Sequence, residues 1–165
     1  MNNGLRKIEL LAPAKNLECG IAAIDHGADA VYIGAAQFGA RQTAGNSTED
    51  IAELTRYAHQ FGVAVYVTVN TIVYEKELQA LEHLLRQLVE MGVDAILVQD
   101  MAVLEIYKKL KAEYMTCGYR MPALHASTQT DNRSADKVEW LKENGFERVV
   151  LARELSLEEI TNIHK

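Results

Sequence analysis

Residues 78–100 read LQALEHLLRQLVEMGVDAILVQD, and this stretch decides the fold. Its apolar residues recur at the spacing of one helix face: Leu78, Leu81, Leu85, Leu88 and Val89. Gly92 predicts the end of that helix, because glycine readily takes the left-handed conformation that follows a last helical turn. The apolar run at 95–98 predicts a buried strand, and polar Gln99 and Asp100 come directly after it. The stretch is therefore one helix–strand unit of an α/β protein.

The same unit recurs along the whole chain. Five glycines each end an amphipathic stretch and precede a short apolar run: Gly27, Gly62, Gly92, Gly118 and Gly145. They lie roughly 30 residues apart, which is the length of one strand–helix unit. Together with the first apolar run, the pattern predicts six strands in strict alternation with six helices. We place these strands at 8–12, 30–33, 63–69, 95–98, 123–125 and 148–151. Helix starts are predicted at a capping box of Ser156 with Glu159, at a similar pair of Ser47 with Asp50, and at Asp100 and Asn132 as N-caps.

Strict alternation fits either an open doubly wound sheet or part of an eight-unit barrel. A doubly wound nucleotide binder normally carries a glycine-rich loop after its first strand, but residues 12–16 read APAKN. We therefore predict an α/β fold, a TIM-barrel-like parallel (β/α) repeat truncated to about six units, since a full barrel typically needs about 250 residues. Residues 1–165 are expected to form one barrel-like domain, the N-terminal fragment of a longer protein.

The composition is that of an ordinary globular protein. Apolar residues make up 48% of the 165 residues and charged residues 24%, and the net charge is −6. This acidic balance excludes whole-surface attraction to phosphate backbones and leaves only a local basic groove. No apolar stretch suits a signal peptide or a membrane span, so we expect a cytoplasmic protein that does not bind membranes. Cys19 and Cys117 are too far apart in the sequence to suggest a disulfide framework or metal-ligand spacing.

Polar residues follow the predicted strands and form the candidate binding site. They are Arg41, Asn70, Gln99, Asp100, His125, Ser127, Gln129, Arg153 and Glu154. The carboxyl ends of barrel strands meet at one rim, so these side chains predict a binding mouth. Arginine presents a bidentate fork to carboxylate or phosphate, which favours an anionic ligand such as a small carboxylate.

Structural roles are open for most of this set. Asp100 and Ser127 suit helix caps or turns, and His125 suits a core histidine. Loop-fixing hydrogen bonds suit Arg41, Asn70, Gln129 and Arg153. Glu154 or Asp100 could instead supply a carboxylate between the two arginines. Glu9 lies in the first predicted strand, where an unpaired interior carboxylate would be costly. We expect it to have a cationic partner with a structural role.

Motifs for known hydrolytic chemistry are missing from the sequence. It contains no G-x-S-x-G elbow, no H-E-x-x-H helix and no cysteine beside a histidine. Catalytic residues are therefore unassigned, and no metal ligands are predicted.

Six motifs resemble the collagenase-like peptidase family of unassigned catalytic type. They are ELLAPA at 9–14, GADAVY at 27–32 with Phe38 and Arg41, YVTVN at 66–70, VQD at 98–100, HASTQ at 125–129 and RVVLARELS at 148–156. The resemblance runs in order from Glu9 almost to the end and covers the N-terminal portion of the family. Lys15 departs from it, because the family usually has glycine there.

The resemblance implies a peptidase, a hydrolase acting on a peptide or protein, with the isolated fragment inactive. It also implies an alternative, because some relatives are associated with hydroxylation of bases in transfer or ribosomal RNA. Those relatives use an iron–sulfur cluster held by cysteines and, in some cases, prephenate. Cys19 and Cys117 do not match these cysteines, so we expect no cofactor in this chain, and the resemblance assigns any iron–sulfur cluster to the full-length protein, on cysteines outside residues 1–165. A third alternative is a non-catalytic fragment that binds a ligand or partner. Under each alternative, open sheet edges would allow a homo-oligomer.

Overall fold

The computed structural model describes residues 8–39 and 45–164 and shows strands alternating with helices along the chain. The strands are β1 Leu11–Ala14, β2 Ala30–Gly34, β3 Ala64–Val69, β4 Ala95–Val98, β5 Ala123–Ala126 and β6 Phe146–Val149. The helices are α1 Leu17–Asp25, α2 Thr48–Gln60, α3 Leu78–Met91, α4 Met101–Tyr114, α5 Ala135–Glu143 and α6 Leu157–His164. Short 3-10 turns lie at Glu75–Glu77, Met115–Cys117 and Thr128–Thr130.

All six strands belong to one parallel sheet in the order β1-β2-β3-β4-β5-β6. This order confirms the predicted parallel repeat and an open sheet rather than a closed six-stranded ring. Within the described ranges, β1 and β6 each pair with one neighbour and form the two edges. The β5–β6 register shifts beside Leu124 and His125, which brings Arg148 opposite His125.

The two faces of the sheet bury different side chains. One face packs against the helices and carries β-branched residues such as Val31, Val65 and Ile96, all fully buried. The other face holds a smaller cluster that includes Ala30, Tyr66 and Ala95. Small residues on this second face are those expected on the concave interior of a barrel, where side chains converge.

Most predicted helix signals are confirmed. Ser47 caps α2 through a reciprocal box with Asp50, and Ser156 exchanges the equivalent bonds with Glu159. The five repeat glycines all have positive φ angles, between 69° and 92°. Asn132, however, is wrong as the predicted cap of α5, because Ser134 caps that helix and the Asn132 side chain is buried elsewhere.

The outer strands lie a few residues from their predicted positions. The first begins at Leu11 and includes Pro13, which an edge strand tolerates because its missing N–H removes no bond from the sheet interior. The last begins earlier than predicted, at Phe146, which packs into the core beneath the helices. No helix within 8–39 and 45–164 has the length and apolar character needed to cross a membrane.

Candidate functional site

A cavity of about 520 Å³ opens where the strands end. Every strand or the loop that follows it contributes to the lining. The polar lining comes mainly from Lys15, Thr68, Asn70, Ser127, Gln129 and Arg153. The apolar lining includes Pro13, Tyr32, Leu97 and Val150. Clefts of roughly 300–1,000 Å³ with a few convergent polar groups are typical small-molecule sites.

The cavity brings together four residues of the predicted set. They are Asn70, Ser127, Gln129 and Arg153. Gln99, Asp100, His125 and Glu154 do not line it, and Arg41 lies outside the described residues. The predicted convergence of rim side chains is therefore seen for the four residues that line the cavity and not for the four described residues that lie outside it.

Asp100 organises the polypeptide around the start of α4. One carboxylate oxygen accepts the Ala102 N–H at 2.9 Å, and the other accepts the Val73 N–H at 3.0 Å. Both oxygens are thus engaged by backbone donors, the capping role that the sequence left open for this residue.

His125 lies within β5 rather than beyond its end. Its side chain is buried on the concave face, and its ring meets the Tyr66 ring edge-on at 4.9 Å between centroids. Burial lowers the pKa of His125 to about 4, the positive charge of Arg148 acts in the same direction, and Glu9 opposes it. His125 is therefore neutral at pH 7 and packs as a core histidine.

Glu9 has the cationic partner that the sequence predicts. Its carboxylate forms an ion pair with Arg148, with 2.5 Å between Oε1 and Nη1, and accepts the Tyr66 hydroxyl at 2.8 Å. The Arg148 guanidinium lies over the Tyr66 ring, 5.5 Å from its centroid. The hydrogen bond from Arg148 holds the pKa of Glu9 below its ordinary value, against the opposing effect of burial. Burial and the Glu9 contact raise the pKa of Tyr66 to about 12.

The two remaining predicted residues lie near the rim. Gln99 is half-buried directly after β4. Glu154 is exposed, and its negative charge helps to raise the pKa of Arg133, whose main partner is Asp131. Glu154 is thus not paired with Arg153 across the cavity mouth.

Two cations line the cavity mouth, and neither has a carboxylate partner in the part of the chain that the structure describes. Lys15 and Arg153 are both exposed, and neither takes part in an ion pair with the described residues. Sequence reasoning noted Lys15 only as a departure from the family and missed it as a site residue. Its position directly after the first strand is the signal that could have placed it at the rim.

A buried asparagine holds two walls of the cavity together. Asn132 is 0% exposed, and its Nδ2 donates to the Ser127 carbonyl at 2.9 Å and to the Val150 carbonyl at 2.8 Å. The backbone carbonyl of Asn132 accepts the Ala152 N–H at 3.1 Å. The Ser127 hydroxyl in turn accepts from Asn70 Nδ2 at 3.3 Å. The loop after β5 and the segment after β6 are therefore linked by hydrogen bonds behind the lining.

The described residues do not fit a metal or iron–sulfur cluster. No group of three or more His, Cys, Asp or Glu side chains within 8–39 and 45–164 is arranged to hold a metal ion. Cys19 and Cys117 are free and exposed, and such a cluster ordinarily takes four protein ligands. What the cavity offers chemically is hydrogen bonding, positive charge and the free thiol of Cys19.

Three relatives match nearly the whole chain. The "23S rRNA 5-hydroxycytidine C2501 synthase" of Escherichia coli (strain K12) is 45% identical over 96% of this chain and 23% of its own length. The "tRNA hydroxylation protein P1" of Bacillus subtilis (strain 168) is 38% identical over 94% of this chain and 35% of its own. The "Collagenase" of Porphyromonas gingivalis (strain ATCC BAA-308 / W83) is 28% identical over 95% and 36%. The chain thus spans between 23% and 36% of these relatives.

The fold is shared with a solved structure, "The Structure of the U32 Peptidase Mk0906". It matches with a TM-score of 0.69 at 13% identity, over 99% of this chain and 68% of the other. At this identity the likeness shows the barrel-like fold alone. The model of peptidase family U32 matches residues 15–165, which confirms the resemblance drawn from the motifs. The chain belongs to peptidase family U32.

Proposed function

We propose that this protein takes part in hydroxylation of a base in RNA, and that the cavity is the ligand-binding site of this portion. The observation that carries the proposal is a cavity whose described lining brings together two exposed cations, hydroxyls, amides and the Cys19 thiol, but no histidine and no carboxylate. The 45% identity to a ribosomal RNA hydroxylation enzyme over 96% of the chain supports the same choice.

Peptide hydrolysis needs a nucleophile within hydrogen-bond reach of a base, or a metal-bound water. Among the residues that the structure describes, no histidine lines this cavity, and His125 packs against Tyr66 instead. The Cys19 thiol lines the cavity, but no described residue that could act as a base is hydrogen-bonded to it. The Ser127 hydroxyl accepts hydrogen bonds from Asn70 Nδ2 and the Gln129 N–H, neither of which can act as a base. The peptidase function implied by the family stays a prediction.

The role we assign to the described residues is binding and orientation. Hydroxylation breaks a C–H bond and forms a C–O–H group, a two-electron oxidation that needs an oxygen source and an electron acceptor. Side chains such as Lys15 and Arg153 supply neither. They supply positive charge for an anionic ligand, either an RNA phosphate or a small carboxylate.

Complementation tests the proposal. An E. coli strain lacking its C2501 synthase would be supplied with this protein in its natural length, and 5-hydroxycytidine in ribosomal and transfer RNA would be measured by mass spectrometry. We expect the modified nucleoside to return. Hydrolysis of gelatin or casein by the purified protein, with no modified nucleoside in either RNA, would overturn the proposal in favour of the peptidase.

A further inference from the structure

We propose that the cavity binds one nucleotide of single-stranded RNA, with its base turned out of the stack and its phosphate at Lys15 and Arg153. This inference rests on the proposed function and names the group that enters the site. It assigns binding, not a chemical step, to these residues.

The charged groups of the cavity are exposed, and its buried and half-buried polar groups are neutral. Ser127 is 3% exposed, and Thr68 and Asn70 are half-buried, so the inner polar lining consists of neutral hydroxyls and an amide. The cations Lys15 and Arg153 are exposed at the mouth. A nucleotide entering base first places its neutral base against the inner groups and its charged phosphate against the outer cations.

The chemistry of the inner groups suits a base edge. The Ser127 hydroxyl already accepts from Asn70 Nδ2 and the Gln129 N–H, so it offers its O–H as a donor. The Thr68 hydroxyl and the Asn70 amide carry both donor and acceptor atoms. Donors and acceptors together suit the mixed edge of a base. A small carboxylate accepts hydrogen bonds only, and the two mouth cations alone would satisfy it. The presence of Thr68, Asn70 and Ser127 behind the cations therefore favours the nucleotide over the small acid.

The apolar lining supplies surfaces for the base faces. Tyr32, Leu97 and Val150 line the same cavity, and unstacked RNA bases are held against aromatic and apolar side chains. A cavity of about 520 Å³ has the size of a small-molecule site, not of a groove for a helix. Enzymes that act on a base take it from single strands or extrude it into such a pocket.

Gly34 provides a way to narrow the cavity without disturbing the fold. It lines the cavity in β2, and a Cβ built there would lie 3.4 Å from Thr68 Oγ1, its nearest neighbour. This is an ordinary van der Waals contact. Gly34→Ala is therefore expected to fold normally while placing a methyl group beside Thr68.

The experiment uses the natural-length protein and a short single-stranded RNA that carries one fluorescent cytosine analogue, whose emission rises when it unstacks. Fluorescence reports base extrusion, anisotropy reports RNA binding, and thermal melting reports folding. The parent is compared with Gly34→Ala, Arg153→Ala and Lys111→Ala, the last being an exposed cation on α4 away from the cavity.

We expect the parent and Lys111→Ala to bind the RNA and raise the fluorescence equally. Gly34→Ala should bind the RNA but lose the fluorescence rise. Arg153→Ala should bind about tenfold more weakly, the order expected for one lost charge-assisted hydrogen bond. All variants should melt at the parent's temperature.

Three results would overturn the nucleotide assignment. The first is no fluorescence rise when the parent binds the RNA. The second is a full rise with a folded Gly34→Ala variant. The third is thermal stabilisation of the parent by succinate that is lost in Arg153→Ala, while Arg153→Ala binds the RNA as tightly as the parent.

Cellular hydroxylation separates this inference from the proposed function. If Gly34→Ala and Arg153→Ala modify RNA as well as the parent, only the cavity assignment fails. If the parent itself modifies no RNA, the proposed function fails.

Discussion

Glu9, just before edge strand β1, forms an ion pair with Arg148 in edge strand β6. The two residues are 139 positions apart in the chain. The pair lies on the concave side with Tyr66, and it joins the two ends of an open sheet. Because neither Glu9 nor Arg148 lines the cavity, we assign this ion pair a structural role.

We predict that Glu9→Gln and Arg148→Met each lower the free energy of unfolding by roughly 1–2 kcal/mol, between the values for exposed and buried pairs. Both side chains remain partly exposed, which keeps the effect below that of a fully buried pair. Urea unfolding of the two single variants and the double variant measures the coupling. Additive losses in the double variant would show that the two side chains do not interact.

Stability is predicted to fall as the pH drops from 6.5 towards 4. The folded state holds the pKa of His125 at about 4, so the unfolded chain binds a proton in this range that the folded chain does not. Stability then rises with pH, with a slope of at most about 1.4 kcal/mol per pH unit for one group. The lowered pKa of Glu9 adds a further loss that begins near its ordinary pKa of 4.5 and continues to lower pH.

Urea unfolding of the parent and of His125→Gln at a series of pH values checks this dependence. The variant should lose most of the slope between pH 6.5 and 4. An unchanged slope would mean that His125 is not the group responsible.

Asn132→Ala is predicted to destabilise the protein by roughly 2 kcal/mol, because it removes the side-chain donor of the part-buried Val150 carbonyl and one of three donors of the buried Ser127 carbonyl. Ser134→Ala removes the true cap of α5 and should cost about 1 kcal/mol. Chemical denaturation of both variants shows which one loses more of the free energy of unfolding. A larger loss for Ser134→Ala would contradict the bracing role of Asn132.

Self-association through the open edges is a fourth prediction. Leu10, just before β1, is 58% exposed, and an unpaired edge is a template for pairing with another chain. Light scattering of the 165-residue chain should show species larger than a monomer, and Leu10→Lys should reduce them. A strictly monomeric parent would count against association at these edges.

The strand-and-helix order was predictable because each unit carries its own local signals. The 95–98 run matches β4 without error, and Gly92 takes the left-handed conformation that its position predicts. Local signals do not report tertiary contacts, and this explains the errors. Asn132 resembles a cap in sequence, but its side-chain amide is buried, where it donates to the Ser127 carbonyl and to the Val150 carbonyl, the latter 18 residues later in the chain.

The site was predictable to the extent that strand ends converge. Asn70 and Arg153 reach one cavity because their strands end at the same rim. His125 immediately precedes the last residue of β5, and strand alternation points it into the interior beside Tyr66. A shift of one residue in the strand end decides whether a side chain points into the interior or lies at the rim. The apolar run in the sequence does not define the strand end to one residue.

Modification of RNA by the Arg153→Ala variant tests the central claim most directly. In the E. coli strain without its C2501 synthase, the natural-length parent and Lys111→Ala should restore 5-hydroxycytidine in 23S rRNA. Arg153→Ala, expressed and folded equally well, should restore about one tenth as much at limiting expression, the order of one lost charge-assisted contact. Equal restoration by Arg153→Ala would contradict the claim that this cavity binds the ligand of the reaction.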